Sequence, residues 1–351
     1  DDLNGDGLPD IVVGDTSGVS YYFGDGAGGF GDRQQLGTFA NARSILTRDL
    51  NNDGLSDLAF AGGFTDDVRV ALGVGGGSFA PEQAYPTGDF PVSIAAGDLD
   101  GDGLLDLVAV NESSGDLSLL FGVGGGDFAP AVNLPIGEQP VSVAVADLNG
   151  DSQPDIAVCR NDSQDVWVLL GQGAGSFDAG QAYPAGIKPT GIAIDDLTGD
   201  GVPDLAVSLG SGQQVALLTG AGDGTFTTVA IPAAISANSI ALGDLNLDGQ
   251  PDIVTEREFL LGNGDGTFAA SESIGFESGL LPRTVAVADV NLDGIADLLR
   301  TLDPGTGNSG VANVQLGLGG ARFVDHDSYF LGIDPQSVAI ADFNGDALAD
   351  L

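Results

Sequence analysis

Asp2, Asn4, Asp6 and Asp10 occupy positions 1, 3, 5 and 9 of a nine-residue segment, with Gly7 at position 6. The arrangement returns with Asp49, Asn51, Asp53 and Asp57, with Asp98, Asp100, Asp102 and Asp106, and with Asp147, Asn149, Asp151 and Asp155. It continues with Asp196, Thr198, Asp200 and Asp204, with Asp244, Asn246, Asp248 and Asp252, and with Asp289, Asn291, Asp293 and Asp297. The last copy is Asp342, Asn344, Asp346 and Asp350. Oxygen-bearing side chains at positions 1, 3 and 5 of a tight loop converge on one point, which suits a hard cation. Calcium takes six to eight oxygens, so a backbone carbonyl near position 7 and the carboxylate at position 9 complete the shell. Magnesium tolerates irregular all-protein cages poorly. Zinc and copper prefer nitrogen and sulfur, for which the chain offers only His326 and Cys159.

An EF-hand also begins this way, but it requires an acid at position 12 and flanking helices. Position 12 is Val13, Phe60, Ala109, Val158, Val207, Thr255 and Arg300 in the first seven copies, and none is a carboxylate. The flanks, such as Ser142-Val143-Ala144-Val145-Ala146 and Asp155-Ile156-Ala157-Val158, read as strands. The loops are therefore expected to be calcium-binding turns between strands, holding about seven ions. As metal-free turns they would leave carboxylates about 5 Å apart, repelling by ~3 kcal/mol per pair at an effective dielectric of about 20. The third copy, with four carboxylates, should bind tightest. Thr198 weakens the fifth, Ser152 replaces glycine in the fourth, and Ala347 does so in the eighth.

The first aspartates of successive copies are 47, 49, 49, 49, 48, 45 and 53 residues apart. Within one period, the apolar run 106–110 is followed by a polar turn, a second run 117–121, and Gly122-Val123-Gly124-Gly125-Gly126-Asp127-Phe128. A third run reaches Leu134-Pro135, and residues 140–146 feed the next loop. Four short strands per period of 40–50 residues is the signature of a β-propeller. The glycine-rich hairpin ends in Phe30, Phe79, Phe128, Phe177, Phe226, Phe268 and Phe323. No helical periodicity follows it, so it is not a dinucleotide loop. Seven hairpins against eight loops predict an all-β, seven-bladed ring of four-stranded antiparallel blades. The strand from Gln336 to Asp342 would close it beside Ile11 to Val13 and remove the exposed edges. An eight-bladed ring is the alternative. Residues 1–351 would form one propeller domain. The chain lacks methionine and opens inside a motif, so we expect a piece of a longer surface protein.

The chain resembles the FG-GAP/VCBS repeat family, the integrin-α-head-like propellers. The likeness rests on Pro140 to Asp151, which runs Pro-Val-Ser-Val-Ala-Val-Ala-Asp-Leu-Asn-Gly-Asp, followed by Leu169-Leu170-Gly171 and Phe177. Phe23-Gly24 and Phe121-Gly122 supply the "FG" element, and Phe128-Ala129-Pro130 approximates the rest. The resemblance implies a seven-bladed propeller with calcium on one face and roles in adhesion, carbohydrate recognition or, in a minority, polysaccharide cleavage.

Formal net charge is -41, with 51 acidic and 10 basic residues. The eight loops hold 25 of the acids, four in the third copy and three in each of the others. Seven calcium ions would leave about -27, still enough to repel nucleic acid and anionic membranes. We expect no nucleic-acid partner and no membrane insertion. Weak multi-carboxylate sites suit calcium near millimolar, which points to an extracellular or cell-surface location. Cys159 lies in an apolar run and reads as core.

If calcium loops and glycine hairpins share a face, the opposite face carries the most varied turns. These are residues 62–67, 111–116, 160–165, 211–214 and 303–309, with Phe39 and residues 85–91, 183–189 and 275–282. A protein or glycan ligand is expected there, bound by a monomer, because loops on a rigid scaffold carry function. Tyr85, Phe90 and Tyr183 could stack on sugar rings, although tyrosine before proline more often packs a strand end. Trp167 aligns with Ser20, Arg69, Ser118 and Ala216, so rim packing is the plainer reading. No metalloprotease helix or nucleophile elbow is present, and His326 between Asp325 and Asp327 reads as a surface residue. We expect a lectin-like or adhesive binding module and no enzyme. The alternatives are a polysaccharide lyase using Lys188 or Arg43, and a passive spacer.

Overall fold

The β-branched run Val141-Ser142-Val143-Ala144-Val145 forms an inner strand, Pro140–Ala146, in a computed structural model of the chain. The structure describes residues 2–37, 41–137, 139–211, 214–232, 237–275, 280–305, 309–333 and 335–339. Pro140–Ala146 pairs with Asp155–Arg160, which pairs with Asp165–Leu169, which pairs with Gln181–Pro184, all antiparallel. Pro140 sits at the first position of its strand, beside a β-bulge, where a missing N–H is tolerated. The described residues form seven such four-stranded sheets. Short two-stranded ribbons, such as Gly122–Gly124 with Asp127–Phe128, extend two of them.

The seven inner strands are Ala42–Arg48, Pro91–Gly97, Pro140–Ala146, Pro189–Asp195, Ile240–Gly243, Leu281–Ala288 and Ser337–Ala339. Each touches the next, and Ser337–Ala339 touches both Leu281–Ala288 and Ala42–Arg48. The ring therefore closes with seven blades, and the eight-bladed alternative falls. Closure uses the expected strands: Val12 faces Ala339, Val13 faces Val338 and Gly14 faces Ser337. The rest of that C-terminal strand lies outside the described residues. Pairing the two ends covers the edge of Ile11–Asp15 that would otherwise template aggregation.

The second strand of a blade is covered on both sides, so it does not alternate. All six residues of Asp155–Arg160 are buried. Seven apolar clusters fill the seams, one between each pair of neighbouring blades. Cys159 is fully buried in one of them, and burial pushes its thiol pKa far up, as a core residue requires. The strand order puts six described loops between an inner and a second strand, the first loop directly before the second strand Ile11–Asp15, and every glycine hairpin after the third. Both therefore lie on one face. The second-to-third turns and the entries to the inner strands lie on the other.

Candidate metal centres and the opposite face

Each described loop is built around its position-9 aspartate. Asp10, Asp57, Asp106, Asp155, Asp204, Asp252 and Asp297 are at most 1% exposed. One Asp155 oxygen accepts the Leu148 N–H at 2.8 Å and the other accepts the Gly171 N–H at 2.7 Å. The same pair of bonds recurs in the other six blades. The carboxylate thus buckles the loop to the third strand of its own blade. The acceptor geometry explains the glycine after Leu170, because a Cβ on Gly171 would sit 2.5 Å from the Pro154 carbonyl oxygen. Equivalent collisions await at Gly24, Gly73, Gly122, Gly220, Gly262 and Gly317. This contact was not anticipated from the sequence; its signal is the unfailing Gly six residues before each hairpin Phe, paired with it across the turn.

The side chains at positions 1, 3 and 5 accept the backbone N–H groups of their own loop. Asp147 Oδ1 accepts from the N–H of Gly150 at 2.8 Å and of Asp151 at 3.1 Å, and its Oδ2 accepts from Ser152 at 2.8 Å. Asn149 Oδ1 accepts from Asp151, and Asp151 Oδ1 from Gln153. All three bonds to position 1 repeat from Asp2 and Asp98, and the two from positions 5 and 6 repeat from Asp49, Asp196, Asp244 and Asp289. Position 6 is left-handed, at φ 81° in Gly7 and at φ 67° in the non-glycine Ser152. Position 4 is left-handed as well, which forces Leu247 and Leu292 to φ 65° and 59°. The sequence reading did not anticipate that second turn.

The copies differ as donor sets. Asp98, Asp100 and Asp106 bring carboxylate oxygens within 4.8 Å of one another. Among the described residues, this is the one acidic trio that does so. Position 3 is an aspartate only here, so every other loop offers a neutral oxygen at that corner. Asp102 stands outside the trio, its Oδ1 accepting the Leu104 N–H. In the second loop, buried Asn51 Oδ1 has no hydrogen-bond partner, and neither has Thr198 Oγ1 in the fifth, beside Asp204 but outside bonding geometry. These unpartnered oxygens, with an all-oxygen donor set, fit calcium and not a nitrogen- or sulfur-seeking metal. Burial pushes Asp10, Asp106, Asp252 and Asp297 up to about 6, and raises Asp57, Asp155 and Asp204 in the same direction, against the lowering effect of their two backbone N–H bonds. A cation would oppose that rise. The final set, Asp342, Asn344, Asp346 and Asp350, lies outside the described residues.

On the opposite face the sugar-stacking expectation for the tyrosines is corrected. Tyr85 and Tyr183 are buried, each edge-on to the hairpin phenylalanine of the next blade, Phe128 and Phe226, at 5.4 Å. They are seam residues, because the outer strand turns that side chain toward its neighbour. Trp167 is half-buried under the guanidinium of Arg160, 4.2 Å from its ring, in line with rim packing. Arg160 is itself held by a bidentate pair with Asp165 at 2.8 Å. His326 is part-exposed and its Nε2 lies 3.1 Å from the Ala27 carbonyl oxygen, joining the outer strand Phe323–Ile333 to the glycine hairpin that ends in Phe30. Phe90, Lys188 and Arg43 do stand at this face, with Phe90 and Lys188 both at φ 62°. Phe39 lies outside the described residues, as do parts of the turns 211–214, 275–282 and 303–309.

The fold is shared with solved structures at low identity. A lectin of Agrocybe aegerita that recognises non-reducing terminal N-acetylglucosamine aligns over 96% of both chains at 19% identity, with a TM-score of 0.66. The periplasmic gluconolactonase of Pseudomonas aeruginosa aligns over 96% of this chain and 99% of its own, at 14% identity and a TM-score of 0.68. A protein from Lactobacillus plantarum aligns over 95% and 100%, at 15% identity and a TM-score of 0.69. No curated protein sequence matches the chain. The FG-GAP-like repeat matches residues 2–60, 49–109, 98–158, 149–207, 196–255 and 257–300. With those six matches laid over its blades, the chain belongs to the FG-GAP-like repeat family.

Proposed function

We propose that this propeller is a calcium-stabilised, non-catalytic binding module of an extracellular or cell-surface protein. The observation that carries the reading is the all-oxygen side-chain set of each described loop, converged in Asp98, Asp100 and Asp106, with its position-9 carboxylate tied to the third strand of its blade. Calcium held by positions 1, 3 and 5 would neutralise clustered charge where the inner strand meets the second. The rigid ring would then present its other face to a protein or glycan. If each of seven sites is filled at about ten times its dissociation constant, each contributes about 1.4 kcal/mol, or about 10 kcal/mol together. That rivals the whole stability of a typical domain. Thermal melts in chelator and in millimolar calcium test this. A large upward shift with calcium is expected, and coincident melts would remove the reading's basis.

A further inference from the structure

Asparagine before glycine is a reactive setting for an amide. A residue without a side chain leaves its backbone nitrogen free to reach the preceding amide carbon. The sequence has four such pairs: Asn4-Gly5, Asn149-Gly150, Asn263-Gly264 and Asn344-Gly345. The last lies outside the described residues. The other three differ in what surrounds them.

The fourth loop holds every group that imide formation needs. Asn149 Oδ1 accepts the Asp151 N–H at 2.9 Å, which folds the side chain over the Gly150 peptide. The Gly150 N–H donates to Asp147 Oδ1 at 2.8 Å, so a carboxylate is in place to take its proton. The nitrogen that must depart is held too: Asn149 Nδ2 donates to Asp151 Oδ2 at 3.1 Å. Gly150 is exposed at φ 76°, and a Cβ there would meet nothing within 4 Å, so water reaches it. The first loop repeats the arrangement. The Gly5 N–H donates to Asp2 Oδ1 at 2.7 Å, Asn4 Oδ1 accepts from Asp6 at 2.9 Å, and Gly5 is equally open. In the sixth and seventh loops, Asn246 and Asn291 are followed by Leu247 and Leu292, whose side chains crowd the attacking nitrogen. Asn263, on a glycine hairpin, is tied to Thr267 through Nδ2, and Gly264 packs against Gln250.

We propose that Asn149 and Asn4 are self-modification sites, which the chain converts to aspartate through a cyclic imide. The Gly150 nitrogen bonds to Asn149 Cγ, and the Cγ–Nδ2 bond breaks. The proton on the Gly150 nitrogen passes through Asp147 Oδ1 to the departing nitrogen, which leaves as ammonia. Water then opens the five-membered imide. Opening at Cγ restores the main chain with aspartate at position 149, and opening at the main-chain carbonyl leaves isoaspartate. Each aspartate adds one negative charge and puts a carboxylate at position 3. The loop then matches the third copy, where Asp98, Asp100 and Asp106 converge within 4.8 Å. The conversion itself needs no metal. Its effect, a tighter cation site, rests on the calcium reading.

The test holds the full chain at mildly alkaline pH in chelator and in millimolar calcium. Peptide mapping by mass spectrometry follows each amide, with fragmentation that separates aspartate from isoaspartate. In chelator, Asn149 and Asn4 should convert at least about tenfold faster than Asn246, Asn291 and Asn263, with aspartate among the products. Calcium should slow Asn149 and Asn4, because it occupies Asp147 and Asp2, and leave Asn263 unchanged. Gly150→Asn should stop conversion at Asn149 with a melt close to the parent's, since Asn52 holds the same position of the second loop at φ 62°. Asn149→Asp copies the product and should keep its melting temperature to lower calcium than the parent does. Equal rates at Asn149 and Asn246, a rate untouched by Gly150→Asn, or isoaspartate as the sole product would overturn the proposal. Fast conversion that calcium does not slow upholds the modification and counts against the calcium reading, so the two failures are distinguishable.

Discussion

Gly122→Ala should be among the most damaging small substitutions in the protein. A Cβ at Gly122 would lie 2.6 Å from the Leu105 carbonyl oxygen and 3.2 Å from Leu104 Cβ. The first obstacle is backbone and cannot rotate away. The strand must retreat, and the Gly122 N–H then loses its 2.7 Å bond to buried Asp106. Losing a hydrogen bond to a charged group costs about 1.5–3 kcal/mol, and overpacking adds about 1–3 kcal/mol. A loss of about 3–5 kcal/mol is therefore expected, a large share of a typical domain's stability. Gly125→Ala is the control. It sits in the same hairpin at φ 68° with nothing within 4 Å of its Cβ, so it meets only left-handed strain of about 1–2 kcal/mol. Urea unfolding of both variants in calcium buffer gives the comparison. If Gly122→Ala costs no more than Gly125→Ala, the buckle between loop and third strand does not hold the blade as argued.

Other outcomes follow from the same geometry. In chelator, stability should fall as pH rises from about 4 to about 6, because the raised pKa of Asp10, Asp106, Asp252 and Asp297 makes the folded chain bind protons more tightly than the unfolded one. In calcium the trend should reverse, since metal binding requires ionised carboxylates; melts at stepped pH with and without calcium check both signs. Asp100→Ala should cost more calcium affinity than Thr198→Ala, because only Asp100 belongs to a converged acidic trio, and calorimetry of the two variants decides the order. Removing residues 337–351 should uncover the Ile11–Asp15 edge and give aggregates in light scattering; a monomer with an unchanged melt would contradict closure by that pairing.

The ring was legible because its causes are local and repeated. The even return of Asp2, Asp49 and their successors sets the blade count, and Ser337 to Ala339 falls in register with Val12 to Gly14. What stayed hidden depends on approach in space. Nothing near Asp106 in the chain says that its second oxygen reaches Gly122. Tyr85 looked free for sugar because its packing partner, Phe128, belongs to the next blade. Phe90 precedes a proline, a setting that favours extended backbone. Its left-handed turn is imposed by Asp66 and Glu112, which only the folded ring brings to it.

The most direct measurement is the number of calcium ions retained per chain, by equilibrium dialysis with elemental analysis at millimolar calcium, run beside melts of the same samples. The account predicts about seven ions, one for each described loop, released by chelator together with a large fall in melting temperature. Fewer than one ion per chain, with melts that coincide, would contradict it.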